Sequence, residues 1–427
     1  MTDPIISPDG KWMWTGSEWI PAPPAAQPVS VSMQDSVIGG DVNITQNNAE
    51  DIATAMVQAL ERMGISGQSS PAELTPSQEA EVEQVLEMSE QLVGHGIEID
   101  PWTEITLGIA AKLAGRTHSA QQHYLRALET FRKNSDRQGE SASLINLGNI
   151  AHTRGDLAEA ERLYRESLAI DRDIGDRQGE AASLNNLGII AETRGDLAEA
   201  ERLQRESLAI KREIGDRQGE AASIGNLGLI ARHRGDLAEA ERLLLEAKSV
   251  YQEIGDRAGV SRQLINLGNI AYTRGDLAEA ERLQRESLAI MREIGDRQGE
   301  SASLGNLGLI ARHRGDLDEA ERLQLEAKSV YQEIGDRAGV SRQLQNLGII
   351  AETRGDLAEA ERLQRESLAI KREIGDREGE AASLGNLGNI ASANGNMDEI
   401  HRCYTEAVRI KREIGIPIDQ WFIDNGY

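Results

Sequence analysis

One block of sequence returns along most of this chain at a fixed interval. NLGIIAETRGDLAEAERLQRES occupies residues 186–207 and recurs letter for letter at 346–367, with close variants beginning at 226 and 266. Glycines at 155, 195, 235, 275, 315, 355 and 395 mark a step of forty residues. A period of roughly twenty to fifty residues belongs to chains that stack one supersecondary element on the next, because a single copy cannot bury its own apolar face. The 427 residues therefore read as one elongated array with appended segments, and not as two or three globular domains.

Each repeat reads as two helices. In the copy at 181–220, Leu184, Leu187, Ile190 and Ala191 fall at helical spacing, and Gly195 supplies the left-handed position that ends helix A. Asp196 follows as N-cap, with Glu199 three residues on expected to reach back and complete a capping box. Leu197, Ala200, Leu203, Leu208 and Ile210 form the apolar side of helix B, while Glu201 with Arg205 and Arg202 with Glu206 are i,i+4 pairs on the wet side. Helix B stops at Gly215, and Asp216 opens the next helix A. Aromatic residues are only 3% of the chain against 39% hydrophobic, which suits helices packed through small residues.

Leu187-Gly188 followed by Ala191, then Ala200 and a large residue four positions later (Tyr164, Leu244 and Tyr404 in sister copies), resembles the tetratricopeptide repeat. The pattern recurs in about eight copies between roughly 101 and 420. It departs from the family in length, forty residues in place of thirty-four, and in Gln204, Gln284, Gln324 and Gln364 at the aromatic slot. The length resembles the Pins-like and kinesin-light-chain-like subgroups. The resemblance implies an all-α fold, a right-handed superhelical solenoid of helix-turn-helix repeats, and the role of a non-enzymatic interaction scaffold.

The copies can be compared with one another. Variation gathers at the fifth, ninth, twelfth and thirteenth residues, for example Asn185, Ile189, Glu192 and Thr193, which share one face of helix A. By the resemblance, that face lines a concave groove where extended peptides lie, so the candidate peptide-binding residues are Asn149, His152, Asn185, Glu192, Arg232, His233, Arg262, Asn269, Tyr272, Arg312, His313, Arg342, Gln345 and Glu352. Four arginines and two histidines flanked by Glu192 and Glu352 point to an acidic segment as ligand. The asparagine present in every full copy, Asn186 and its equivalents, either bonds the backbone of a bound peptide or ties neighbouring helices together.

Outside the array, residues 1–27 form a Trp- and Pro-rich mini-module resembling short Trp-rich bacterial modules, and 28–48 read as a short β-hairpin segment around Gly39-Gly40. A helix is expected over 49–66, a linker over 67–75, a helix packing on the array over 76–100, the array itself over 101–414 with its last repeat extending to about 420, and a hydrophobic cap over 415–427. A second reading is a self-assembling structural protein that forms homo-oligomers through 28–48 or 415–427.

Composition excludes several function classes. A net charge of −25 opposes loose binding to nucleic acid or anionic membrane, although −14 of it lies in residues 1–100, where sixteen acids face only Lys11 and Arg62. No apolar run approaches the roughly 18 residues that a membrane span needs. The single cysteine, Cys403, pairs with nothing within the chain and occupies a core slot, and the first residues lack a signal pattern, so a cytoplasmic location is expected. No set of acid, base and nucleophile gathers at one place, and His233 and His313 stand two repeats apart, so no catalytic residue, metal site or cofactor is expected. The expected partner is a protein or peptide, with no nucleic acid and no membrane.

Overall fold

The computed structural model describes residues 12–14, 19–21, 49–65, 74–424 and 426. The chain divides into two compact units, Met1–Asp256 and Arg257–Tyr427. In the first, strands β1 (Trp12–Trp14) and β2 (Trp19–Pro21) pair antiparallel, with Met13 opposite Ile20. Helices α1 (Ala49–Arg62) and α2 (Pro76–Gly94) follow. The array then begins: α3 (Pro101–Leu113), α4 (Thr117–Asn134), α5 (Arg137–Thr153), α6 (Leu157–Ile174), α7 (Arg177–Thr193), α8 (Leu197–Glu213), α9 (Arg217–His233) and α10 (Leu237–Glu253). The second unit holds α11 (Arg257–Thr273), α12 (Leu277–Ile294), α13 (Arg297–His313), α14 (Leu317–Glu333), α15 (Arg337–Arg354), α16 (Leu357–Ile374), α17 (Arg377–Ala393), α18 (Met397–Glu413) and α19 (Gln420–Asp424). The hairpin expected over 28–48 lies outside the described residues.

Local signals set the helix ends. Asp176 accepts a hydrogen bond from Gly179 N at 3.0 Å and Asp196 from Glu199 N at 3.1 Å, satisfying donors that a helix start leaves orphaned. Gly195 takes φ +80° and Gly215 φ +74°, the left-handed turn that a side chain resists. The capping box expected at Asp196 is only half made. The Glu199 carboxylate turns forward to Arg202, 2.7 and 2.8 Å away, because a bidentate charged partner outcompetes a neutral backbone N–H. A reciprocal box forms instead at the start of α2, between Thr75 and Gln78.

Packing explains the Leu-Gly pair. A Cβ on Gly148 would lie 2.5 Å from Tyr164 Cε1, and one on Gly188 would lie 2.7 Å from Gln204 Nε2, so glycine lets helix B press against helix A. Gln204 is fully buried and donates to Asn185 O at 3.0 Å, which is how an amide stands in for an aromatic ring at this slot. In the entry repeat the buried Glu104 is held by His123 at 2.6 Å and Arg126 at 2.9 Å. Ile52, Met56, Leu60, Val82, Val85 and Leu86 of α1 and α2 join the core that Ile105 and Leu107 of α3 continue.

Charge also links repeats. Arg194, in the turn after helix A, pairs with Glu161 of the preceding repeat and donates to Leu157 O at 3.0 Å, and Arg234 pairs likewise with Glu201. Such half-exposed pairs contribute little each, of order 0.5 kcal/mol, and act mainly on spacing.

At the far end of the second unit, Phe422 of α19 packs against Ala391, Ile400 and Tyr404, and Tyr404 meets Trp421 and Phe422 edge-on at 5.5 and 5.2 Å. Truncation after Gly415 is expected to lower the melting temperature by about 2–6 °C, from the apolar area it uncovers. Differential scanning calorimetry checks this, and an unchanged transition would show the tail to be dispensable.

Candidate functional site

Successive A helices meet side by side within each unit, α5 with α7 and α7 with α9 in the first, α11 with α13 and α13 with α15 in the second. Each unit therefore presents a row of A-helix faces, and the variable positions fall on it.

In the first unit, Asn149 is buried and its Oδ1 accepts from Tyr164 Oη at 2.6 Å and from Asn186 Nδ2 at 3.5 Å. Asn226 Nδ2 donates to Asn185 Oδ1 at 3.2 Å. Glu192 and His233, expected on opposite sides of a charge boundary, lie together with His233 Nδ1 3.1 Å from Glu192 Oε1. Arg232 Nη2 is 3.4 Å from His233 Nε2. Burial raises the Glu192 carboxyl above its ordinary value, against the opposing pull of His233 and Arg232. His152 is half-buried on the same row.

In the second unit, Tyr272 and His313 stack edge-on at 5.3 Å. Asn269 Oδ1 accepts from Gln284 Nε2 at 3.3 Å. Arg262 and Arg312 are half-buried and Arg342 is exposed, and Arg312 Nε is buried with no hydrogen-bond partner among the described residues. Lys371, on helix B, reaches this face and donates to Gln345 Oε1 at 2.6 Å and Ser383 Oγ at 3.1 Å. Burial lowers its pKa, Asp376 opposes that shift, and the charge of Arg342 adds to it. Burial alone raises the carboxyl of Glu352.

A tetratricopeptide repeat model matches residues 100–173, 139–213, 219–293, 299–373 and 344–413, well over half of the chain. The chain belongs to the tetratricopeptide repeat family. No curated protein sequence matches it. Among solved structures it is similar to a signal transduction ATPase with a tetratricopeptide repeat sensor from Pyrococcus horikoshii, 15% identical with a TM-score of 0.57 over 87% of this chain and 54% of that one. It is also similar to the apo quorum sensor NprR from B. thuringiensis, 12% identical with a TM-score of 0.56 over 86% and 98% of the two chains. A Rap protein complexed with Competence and Sporulation Factor is 13% identical, with a TM-score of 0.50 over 84% and 99%. At these identities the likeness concerns the fold.

Within this tetratricopeptide repeat array the recurring asparagine bonds a neighbouring helix in four copies, while Asn146 donates to Ala142 O of its own helix at 3.1 Å. Asn186 and Asn226 reach side chains of the preceding repeat, and in the second unit Asn346 and Asn386 donate to Gln324 and Gln364 at 3.3 and 3.4 Å. The threonines at the thirteenth position are spoken for locally, Thr193 bonding Ile189 O and Thr273 bonding Asn269 O at 2.9 Å. Lys371 is absent from the candidate residues above. Its signal was variation at one helix-B slot, which holds Asp171, Lys211, Tyr251, Met291, Tyr331 and Lys371 in successive copies.

Among the described residues, no group of three or more His, Cys, Asp or Glu could hold a metal ion, and no helix is long and apolar enough to cross a membrane. Cys403 is buried and its thiol is pushed up to about 11, mainly by burial, which leaves it a poor nucleophile.

Proposed function

We propose that this protein is a non-enzymatic interaction scaffold whose second unit binds an extended acidic peptide along its A-helix face. The observation that carries the reading is uncompensated positive charge. Arg282, Arg322 and Arg362 on helix B are each bridged by two glutamates, whereas Arg312 and Arg342 have no ion pair among the described residues; Lys371 also lies beside Arg342 but is offset by the charge of Asp376. Arginines without a bridging carboxylate, on a face that also carries amides, Tyr272, His313 and Glu352, suit a ligand that brings its own carboxylates. The similar folds described as a sensor and a quorum sensor support a binding role.

The test is fluorescence anisotropy with a short labelled polyglutamate peptide as probe. Changing Arg262, Arg312 and Arg342 to Glu is expected to weaken binding by about tenfold or more, and added salt should weaken wild-type binding because such pairs are screened over about 8 Å. The control changes Arg282, Arg322 and Arg362 to Glu, the same charge change on the helix-B side. Loss of binding in the control with none in the A-face variant would overturn the assignment.

A further inference from the structure

The copies containing α5 and α7 differ from later repeats in having their A-helix face covered. At the second residue of the repeat, Ala142 and Ala182 are 1% and 2% exposed, while Ala222 and Ala302 are half-buried and Arg342 and Ala382 are exposed. At the sixth residue, Asn146 and Asn186 are buried, whereas Asn226, Asn266, Asn306, Asn346 and Asn386 are all half-buried. At the ninth, Asn149 is 3% exposed, yet Asn269 is half-buried and Asn389 open. Every residue of α5 from Gly139 to Ala151 is buried, so this helix has no open face.

An element from outside the array lies there. Strand β2 meets both α5 and α7. A two-stranded ribbon with strands of three residues does not hold together in water unsupported, so its order depends on what it leans against. The floor beneath suits an extended backbone. Ala142 and Ala182 allow close approach, Ile145 is apolar, and Asn149 keeps a buried Nδ2 donor with no partner among the described residues.

We propose that the α5–α7 face is a strand-binding site whose resident occupant is this chain's own Trp19–Pro21 strand, held in cis. An external extended segment then enters this part of the A-helix row only by displacing that strand. The displacement step extends to the first unit the peptide-binding reading given above for the second, while the docking itself does not depend on it.

Hydrogen–deuterium exchange on the full-length chain tests the docking. Ala142→Arg with Ala182→Arg places in the face a side chain that the repeat already accommodates as Arg262 and Arg342. Amides between Trp12 and Pro21 should exchange about tenfold faster or more in this variant, while those of α6 and α8 keep their protection. Ala302→Arg with Ala382→Arg, in the second unit, should change nothing in the hairpin. Hairpin amides that exchange equally fast in wild type and variant would overturn the proposal. Protection lost on simple dilution would also overturn it, by showing that the occupant is a second copy.

A complementary measurement leaves the array untouched. Ile20→Pro removes a backbone donor from the strand paired with Met13. In an Ala182→Cys background this change should speed alkylation of the new thiol by about tenfold, Cys403 being buried. An unchanged alkylation rate would show that β2 does not cover α7.

Discussion

Replacing Asp171 by asparagine is expected to stabilise the first unit at pH 8 by up to roughly 4 kcal/mol and to have little effect near pH 3. Asp171 sits inside the α5–α6–α7 packing, where Ser141 Oγ approaches at 2.5 Å and Ser167 and Ser183 Oγ at 3.3 Å. Burial pushes its carboxyl from 3.8 up to about 7, with the nearby Asp176 adding repulsion and the three hydroxyls opposing. Between those two values the unfolded chain has released a proton that the folded chain still holds. Stability therefore declines as pH rises through that window, the full penalty is present above it, and none remains below it. Asparagine keeps the shape and the hydroxyl contacts without the charge, and sister copies already place Met291 or Lys371 in the same slot. Urea midpoints at pH 3, 5.5 and 8 check the result. A difference between wild type and variant that does not grow with pH would refute the buried-carboxylate account.

Gly148→Ala is expected to destabilise the same unit by about 3 kcal/mol, although alanine is the better helix former by about 1 kcal/mol. The new methyl would lie 2.5 Å from Tyr164 Cε1, inside contact distance. Tyr164 is buried, and moving its ring would strain the 2.6 Å bond from its hydroxyl to Asn149 Oδ1, which in turn is tied to Asn186. The clash therefore propagates to the next repeat. Combining Gly148→Ala with Tyr164→Ala removes the clash, so the pair should be less destabilised than the sum of the two single variants. Chemical denaturation of the four proteins forms the cycle, and strict additivity would mean that the close approach carries no energy.

The helix boundaries were legible because their causes are local. A cap needs only an aspartate and the amide three residues on, and a stop needs only a glycine at positive φ, as at Asp196 and Gly195. The forty-residue period supplied the pairing of helices, since each copy must bury the same stripe against the next. The face carrying the candidate residues followed from comparing copies. What those residues do to one another did not. Glu192 and His233 are forty-one positions apart in sequence and 3.1 Å apart in space, so the expected acidic flank lies against its basic neighbour. Glu199 shows the same limit at short range, its carboxylate having two partners in reach and Arg202 winning. The role of Asn186 was open in the sequence because one amide can satisfy either a ligand or a neighbouring helix, and its 3.5 Å contact with Asn149 of the preceding repeat appears only in the tertiary structure.

By itself, then, the sequence determined the repeat, its two helices, their ends and the family, because each of these rests on interactions within one copy or on the identity of successive copies. Only the tertiary structure decided which faces remain open. The copies containing α5 and α7 are written almost like those containing α13 and α17, yet the former are covered and the latter are not, because strand β2 comes from more than a hundred residues away to lie on them. A three-residue strand has no local signal strong enough to announce its docking site; its position is set by the surface it buries, and that surface exists only after the helices have stacked.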